Sequence, residues 1–156
     1  MKRSLTILFT GIVALGCLTG CSGKDTVDTN TVYHAEYANP VHGYIPFVDL
    51  TVDANKKITS ITYNWKKEDD SSALKSDDEE YAKTWRSVNP DMDQNVAREN
   101  LMNQLQEKQD ISKVDTVAGA TMASSEFKEL VSKLMKERVQ KGNKKELVID
   151  NSTSST

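Results

Sequence analysis

The sequence predicts one α+β domain, because its first half has the alternation of β-strands and its second half has the spacing of amphipathic helices. The chain has 156 residues, of which 37% are hydrophobic and 28% are charged. Because one domain typically takes about 100–200 residues, this length argues against a large multi-domain enzyme. We expect an antiparallel sheet covered by about three helices.

Three strands are predicted in the first half of the chain. The first, at 32–37, is short, and the other two lie at 44–53 and 57–65. The alternating apolar residues are Val48, Leu50 and Val52 in the second strand and Ile61, Tyr63 and Trp65 in the third. Turn-forming residues at 54–56 join these two strands into an antiparallel hairpin.

Two helices are predicted after the hairpin. Residues 76–79 (SDDE) have the pattern of a capping box that begins with Ser76, and their charges suit the positive end of a helix that continues to about Ser87. The second helix is predicted to begin near Asp93. Its apolar residues recur along one face and are Ala97, Leu101 and Leu105.

The last predicted elements are a short strand at 114–117 and a helix that begins around Ser124. The helix has apolar residues at the i, i+3, i+4, i+7 and i+8 spacing of an amphipathic helix. They are Phe127, Leu130, Val131, Leu134 and Met135.

The N-terminal region has the pattern of an exported lipoprotein. Lys2 and Arg3 precede an uncharged run at 5–18, which is shorter than the roughly 20 apolar residues that cross a bilayer and instead fits a signal peptide. The next residues, 18–21 (LTGC), resemble the lipobox of bacterial lipoproteins. This resemblance implies that Cys21 is diacylated and becomes the mature N-terminus. The alternative is an unmodified cysteine buried in an N-terminal helix.

Four segments follow from these patterns. Residues 1–20 are predicted as a lipoprotein signal peptide, 21–31 as a flexible tether, 32–140 as the folded domain, and 141–156 as a polar tail. The apolar run at 147–149 is the exception in the tail, and it is a candidate for a short edge strand.

Charge and cysteine content argue against two classes of protein. A formal net charge of −3 is not that of a nucleic-acid-binding protein, which would present a basic surface. The two cysteines, Cys17 and Cys21, are too few for a disulfide framework, and Cys17 lies in the segment that is predicted to be removed.

Residues 115–125 carry the most chemical information in the chain. Gly119 and Ala120 have little bulk, so an anion could approach the unpaired backbone N–H groups of the helix that follows. Thr121 adds a hydroxyl group at the same place. Taken alone, these residues leave two interpretations open: a phosphate site, and an ordinary helix cap formed by Thr121 or Ser124.

The same residues resemble the flavinylation motif of the FMN-binding domain family. The motif occurs here as Asp115-x-x-Ala118-Gly119-Ala120-Thr121-x-x-Ser124. The family includes flavin subunits of Rnf-type and sodium-pumping NADH:quinone oxidoreductase complexes, and bacterial lipoproteins that carry electrons outside the membrane. The likeness covers nearly all of 32–140. One position departs from it, since the family usually has Ser or Thr where this chain has Ala118.

This resemblance implies a cofactor and a set of site residues. FMN would be attached through a phosphoester bond to Thr121, after transfer from FAD by a separate flavin transferase. The remaining cofactor-binding residues would be Asp115, Ala118, Gly119, Ala120 and Ser124.

Aromatic and histidine residues elsewhere carry weaker signals. Trp65, Tyr81 and Trp85 are candidates for stacking on the isoalloxazine ring, although aromatic residues at such positions also form cores. His34 and His42 have no cysteine or acidic cluster at metal-ligand spacing, so we expect surface or structural roles for both.

Together the motifs predict a lipid-anchored FMN protein that transfers electrons at the outer face of the bacterial cytoplasmic membrane, rather than a stand-alone catalyst. Its expected partners are a flavin transferase, a membrane redox partner or the quinone pool, and the bilayer through acylated Cys21. One alternative is a non-redox lipoprotein module that binds a ligand or presents a surface. Another is an enzyme that reduces a bound substrate, although the chain has no second catalytic constellation.

Overall fold

The computed structural model describes residues 30–152, and its central element is a four-stranded sheet in the order β3-β2-β1-β4. β1 (Thr31–Tyr37), β2 (Tyr44–Val52) and β3 (Ile58–Lys67) are antiparallel neighbours. β4 (Leu147–Ile149) pairs in parallel with β1, so the sheet is mixed. The predicted hairpin is confirmed as β2 and β3.

Several predicted features fall outside the described residues. These are the signal peptide at 1–20, the lipidation candidate Cys21, the tether up to residue 29, and the last four residues of the tail. Within residues 30–152, no helix has the length and apolar character needed to cross a membrane.

One face of the sheet packs against the helices, and the residues on this face alternate along the strands with those on the other face. In β2 every second residue is buried, which confirms the predicted apolar face of Val48, Leu50 and Val52. In β3, Tyr63 and Trp65 are buried, whereas Ile61 is only partly buried. The pleat of the sheet places Ile61, Tyr63 and Trp65 on one face, because successive side chains point to opposite faces.

Three α-helices follow the hairpin and confirm the predicted α+β class. They are α1 (Glu79–Val88), α2 (Gln94–Lys108) and α3 (Thr121–Leu134). A π-helical turn at Met135–Val139 continues α3. α2 packs on β3, and α3 packs across β1 and β2 and against α2.

The core lies between the sheet and the two longer helices. Burying a large apolar side chain stabilises a fold by about 1.5–3 kcal/mol, so the predicted stripes of α2 and α3 account for much of the packing. The stripe residues that are buried are Ala97, Leu101 and Leu105 of α2 and Phe127, Leu130, Val131 and Leu134 of α3.

Two helices begin at residues other than those predicted. α1 is capped by Asp78, whose carboxylate accepts a hydrogen bond from the Tyr81 N–H at 2.9 Å. Ser76 cannot cap it, because Ser76 lies in a preceding 3-10 turn and its hydroxyl accepts a hydrogen bond from Asn64 Nδ2 at 2.9 Å. α3 begins at Thr121, before the predicted Ser124.

The strand predicted at 114–117 is not formed by these residues. Val114 and Val117 are buried, as strand residues would be. Their N–H groups, however, bond to Ile111 O at 3.2 Å and to Ser124 Oγ at 3.0 Å rather than to a neighbouring strand. The prediction was wrong because two valines three residues apart indicate burial without indicating which partners the backbone finds.

β4 lies within the predicted polar tail and is the short edge strand expected at 147–149. Leu147 and Ile149 are buried, and Val148 between them is exposed. Beyond the strand, the Oδ1 of Asn151 accepts a hydrogen bond from the Asn39 N–H at 2.9 Å. The sheet and its contacts therefore extend past residue 140.

We expect Leu147→Ala to lower the free energy of unfolding by about 2–5 kcal/mol, the usual cost of truncating a buried leucine. Val148→Ala is the matched control on the same strand, and it should change the free energy of unfolding by no more than about 0.5 kcal/mol, because Val148 is exposed. Chemical denaturation measures both. Equal effects would show that β4 is not packed against the core.

Candidate functional site

A tight turn leads into α3 and determines where the helix begins. The Ala120 N–H donates to Val117 O at 3.0 Å, and Gly119 has a φ of +80°. A turn of this kind requires a positive φ at its third residue, which glycine adopts without strain. A Cβ at this position would also lie 3.2 Å from Asn89 Nδ2. The backbone conformation and the close neighbour therefore both favour glycine.

Ser124 ties this turn to the first turn of α3. Its side chain is fully buried, and its Oγ accepts a hydrogen bond from the Val117 N–H at 3.0 Å while donating to Ala120 O at 2.8 Å. The alternative interpretation, a helix cap formed by Thr121 or Ser124, is wrong. The N-cap residue is Ala120, which has no capping side chain, and Ser124 lies inside the helix.

The structure brings most of the predicted site residues together but directs one of them elsewhere. Ala118, Gly119, Ala120, Thr121 and Ser124 share the turn and the start of α3. Asp115 is exposed, and its carboxylate pairs with Lys108 Nζ of α2 at 2.8 Å. The hydrogen bond from Lys108 and its charge lower the pKa of Asp115. The ion pair between Asp115 and Lys108 therefore links the segment before the turn to α2.

Two adjacent spaces lie beside the first turns of α3. The outer cleft has a volume of about 1070 Å³ and the inner cavity about 140 Å³. The residues that border both are Val41, His42, Met122 and Glu126. Thr121 immediately precedes one of these residues and is exposed at the helix start.

The three aromatic candidates meet at the inner cavity. Trp65, Tyr81 and Trp85 all line its wall, although they come from β3 and α1. The two histidines are separated, since His42 borders both spaces and His34 lies on the sheet face that points away from the helices. His34 Nδ1 is 2.7 Å from Asp49 Oδ1.

Lys75 is a buried cation at the inner cavity. Lys75 is 5% exposed, and its ammonium faces three aromatic rings. The Nζ atom lies 4.7 Å from the ring centre of Tyr44, 5.0 Å from that of Trp65 and 4.5 Å from that of Tyr81. The faces of the rings attract the charge and offset part of its desolvation. Burial lowers the pKa of Lys75, and the negative charges of Glu126 and Asp78 oppose this effect.

Glu126 is the acidic group that borders both spaces. Its Oε2 accepts a hydrogen bond from Trp65 Nε1 at 2.8 Å and lies 3.2 Å from Tyr63 Oη. Burial raises the pKa of the Glu126 carboxyl, although the hydrogen bond from Trp65 and the charge of Lys75 act in the opposite direction. A buried carboxyl with a perturbed pKa in a cleft is typical of a functional site.

The sequence analysis missed three polar residues of the inner cavity, namely Lys75, Gln94 and Glu126. They belong to separate segments, and no motif relates them. Gln94 could have been recognised from the sequence, because it falls on the apolar face of α2 and is therefore a polar residue at a buried position. The other residues of that face are Ala97, Leu101 and Leu105.

A family model described as FMN-binding domain matches residues 43–136. The match includes β2, β3, all three helices and the turn at Gly119. The chain belongs to the FMN-binding domain family. Comparison with the curated proteins and with the solved structures gives no significant match.

The described residues fit both ends of FMN. For the phosphate, the start of α3 offers N–H groups beside a turn with little bulk. For the ring system, the outer cleft is as large as small-molecule pockets, which typically have volumes of about 300–1,000 Å³. Aromatic side chains form the wall of the adjoining inner cavity. The start of α3 and the outer cleft are therefore the candidate places for the phosphate and for the ring system of FMN.

The raised pKa of Glu126 predicts how stability depends on pH. Its folded-state pKa lies above the ordinary value of about 4.3, so the folded protein holds a proton that the unfolded chain releases. The stabilisation that this carboxyl gives to the folded state is complete below about pH 4.3 and is lost as pH rises through the raised pKa. The free energy of unfolding of the wild type, relative to Glu126→Gln, should therefore fall over that range in pH-dependent denaturation.

Glu129→Gln is the matched control on the same helix. Although burial opposes it, hydrogen bonds from Lys133 and Tyr37 lower the pKa of Glu129. The contribution of Glu129 is thus present above about pH 4.3 and is lost as pH falls through the lowered value. The unfolding free energy of the wild type relative to Glu126→Gln and that relative to Glu129→Gln should therefore change with pH in opposite directions. Changes in the same direction would contradict the directions of the two pKa shifts.

Proposed function

We propose that this FMN-binding protein is an electron-carrying lipoprotein in which the cofactor is linked by a phosphoester bond to Thr121. The observation that carries the proposal is the position of Thr121, which is exposed at the first residue of α3. Met122 and Ser125, on the same turn of the helix, border the outer cleft. A phosphate on the Thr121 hydroxyl would meet the unpaired N–H groups of the first helical turn.

The linkage needs FAD and a separate flavin transferase. The Thr121 oxygen forms a bond to the phosphorus of the FMN half of FAD, and the bond from that phosphorus to the AMP phosphate breaks. AMP and the hydroxyl proton are the other products, so no oxidant or reductant is consumed. An exposed threonine at a helix start is accessible to such an enzyme, and a buried one would not be.

Ala118 takes the place of the hydroxyl residue that the resemblance leads us to expect. The turn does not need that hydroxyl for its own stability, because Ser124 Oγ already bonds to the Val117 N–H and to Ala120 O. The loss of one hydrogen-bond donor to phosphate costs about 1 kcal/mol. Backbone N–H groups at the start of α3 can offset this loss.

Bound FMN supplies the redox chemistry, while the protein binds, orients and tunes it. The proposed partners are a membrane redox protein or the quinone pool. Met122 supports an exposed route to such a partner, because it borders both spaces and is itself 57% exposed.

Acylation of Cys21 would hold this carrier at the outer face of the bacterial cytoplasmic membrane. The support is the LTGC sequence at 18–21 after a short apolar run. Cys21 precedes β1, which begins at Thr31, by a segment that reaches at most roughly 35 Å when fully extended. A tether of this length keeps the flavin site near the bilayer.

The covalent attachment is tested with Thr121→Val, which removes the hydroxyl and keeps the branched shape. After co-expression with a flavin transferase, the intact mass of the wild type should exceed that of the apoprotein by FMN minus one water. The variant should lack this adduct but keep its circular dichroism spectrum, and Thr121→Ser should keep at least part of the adduct. Ser125→Ala is the control, since it removes a nearby hydroxyl from the same helix.

An adduct that persists in Thr121→Val would place the attachment at another residue. If the wild type itself stays unmodified, Ala118→Ser restores the hydroxyl that the family usually has, and it should restore modification. Failure of that variant as well would mean that FMN is bound without a covalent bond or is not bound, which favours the non-redox binding module.

The anchor is tested with Cys21→Ala, which removes the thiol and leaves the folded domain unchanged. We expect the variant either to leave the membrane fraction or to accumulate unprocessed, as measured by fractionation and mass spectrometry. Cys17→Ala is the control, because Cys17 lies in the segment that is predicted to be removed. Normal processing of Cys21→Ala with release only by detergent would rule out lipidation at this site.

A further inference from the structure

The inner cavity contains two buried polar side chains with unmet hydrogen-bonding capacity. Gln94 is 1% exposed, and its Oε1 has no hydrogen-bond partner among the described residues. Lys75 is 5% exposed, and within residues 30–152 its ammonium makes no hydrogen bond or ion pair. Because buried polar atoms are nearly always satisfied, the Gln94 oxygen calls for a hydrogen-bond donor, and Lys75 offers free donors at the same cavity.

A flip of the Gln94 amide would not give its oxygen a hydrogen-bond donor. Its Nε2 donates to Lys75 O at 3.0 Å and to Asp78 O at 3.2 Å. The reversed amide would place Oε1 against these two carbonyl oxygens, which are acceptors as well. The neighbouring carbonyls therefore fix the amide, and they leave an acceptor oxygen in the wall of the cavity.

Lys75 lines the same cavity as Gln94. The Gln94 amide bonds to the backbone of Lys75, while three aromatic rings surround the Lys75 ammonium. An ammonium carries three donors and no acceptor. The cavity thus presents a fixed acceptor and a cationic donor, enclosed by the rings of Trp65 and Tyr81.

The pyrimidine edge of an isoalloxazine ring has the complementary pattern, in which the N3–H donor lies between two carbonyl acceptors. We propose that the inner cavity receives this edge, with the flavin N3–H donating to Gln94 Oε1 and the Lys75 ammonium donating to an adjacent flavin carbonyl. The proposal rests on FMN lying beside α3, but it does not depend on a covalent bond to Thr121.

The inner cavity is large enough for one edge of the flavin ring. Its volume of about 140 Å³ is below the roughly 300 Å³ at which whole-ligand pockets begin, so it can take one edge of a ring and not a whole cofactor. The outer cleft shares four bordering residues with it and has room for the remainder. A few water molecules are the alternative occupant, because the site is polar.

The proposal has a consequence for the redox potential. Reduction adds negative charge to the flavin, and a cation beside the pyrimidine edge stabilises that charge. Lys75 would therefore raise the midpoint potential. Because the site is buried, this effect should be less sensitive to salt than that of a surface lysine.

The N3–H bond is tested by NMR on uniformly ¹⁵N-labelled, FMN-loaded full-length protein. In the wild type, the flavin N3–H proton should exchange with water at least about tenfold more slowly than in free FMN, which corresponds to one lost hydrogen bond of about 1.4 kcal/mol. Gln94→Leu should abolish this protection. Gln94→Glu, measured below the pKa of its carboxyl, should keep it, because the protonated carboxyl donates to one of the two backbone carbonyls and retains an acceptor oxygen.

Both substitutions remove the amide Nε2, so the difference between them reports a carboxyl group with an acceptor oxygen against an apolar side chain of similar size. Circular dichroism and thermal melting show whether each variant is folded. If Gln94→Leu does not fold, the wild type and Gln94→Glu still decide the question. An unprotected N3–H in the wild type, or equal protection in folded Gln94→Leu, overturns the proposal and favours water in the cavity.

The role of Lys75 is tested with Lys75→Met, which keeps the length of the side chain and removes its charge. We expect the equilibrium constant for two-electron reduction to fall about tenfold, which is a decrease of about 30 mV in midpoint potential. Lys83→Met is the control, because Lys83 is an exposed lysine of α1. An unchanged potential in folded Lys75→Met would remove Lys75 from the proposed contact.

The outcomes separate this proposal from that of covalent attachment. A missing mass adduct with a protected N3–H, in protein loaded by adding FMN, rejects the phosphoester and supports the pyrimidine contact. A complete adduct with a freely exchanging N3–H supports the phosphoester and rejects the contact.

Discussion

The docking of the first turns of α3 onto β3 is the interaction on which the rest of the site depends. Tyr63 is fully buried in the sheet, and its hydroxyl donates to Ala123 O of α3 at 2.9 Å, while Trp65 Nε1 donates to Glu126 Oε2 at 2.8 Å. These bonds act in a dry environment, where each is stronger than in water. They fix the helix start, and with it the exposed threonine and the wall of the inner cavity.

Polar groups are buried beside these hydrogen bonds, although the domain is small. Burying Lys75 and Gln94 is costly unless each finds a partner, and the Oε1 of Gln94 has none among the described residues. Proteins tend to retain such local violations at functional sites and to offset them elsewhere. Here the offset comes from the apolar packing of α3 on the sheet, beginning at Phe127 directly after Glu126.

The parallel strand β4 stabilises the opposite side of the outer cleft. It pairs with β1, and the segment after it reaches back to the loop that follows β1, where Asn151 Nδ2 donates to Asn39 O at 3.1 Å. Both asparagines border the cleft. The C-terminal part of the chain therefore contributes to the shape of the site, although it carries no residue of the flavin motif.

Elements whose residue pattern repeats along the chain could be predicted before the structure was known. The alternation of Val48, Leu50 and Val52 and the helical stripe from Phe127 to Leu134 identified the hairpin and α3, because burial of one face imposes a period of two or of 3.6 residues. The motif around Thr121 was also visible, since its residues are contiguous. Tertiary structure alone decided the cap of α1, the non-strand conformation at 114–117 and the grouping of Lys75, Gln94 and Glu126. Each of these depends on hydrogen bonds or on packing between segments that are distant in sequence, and such partners leave no periodic trace.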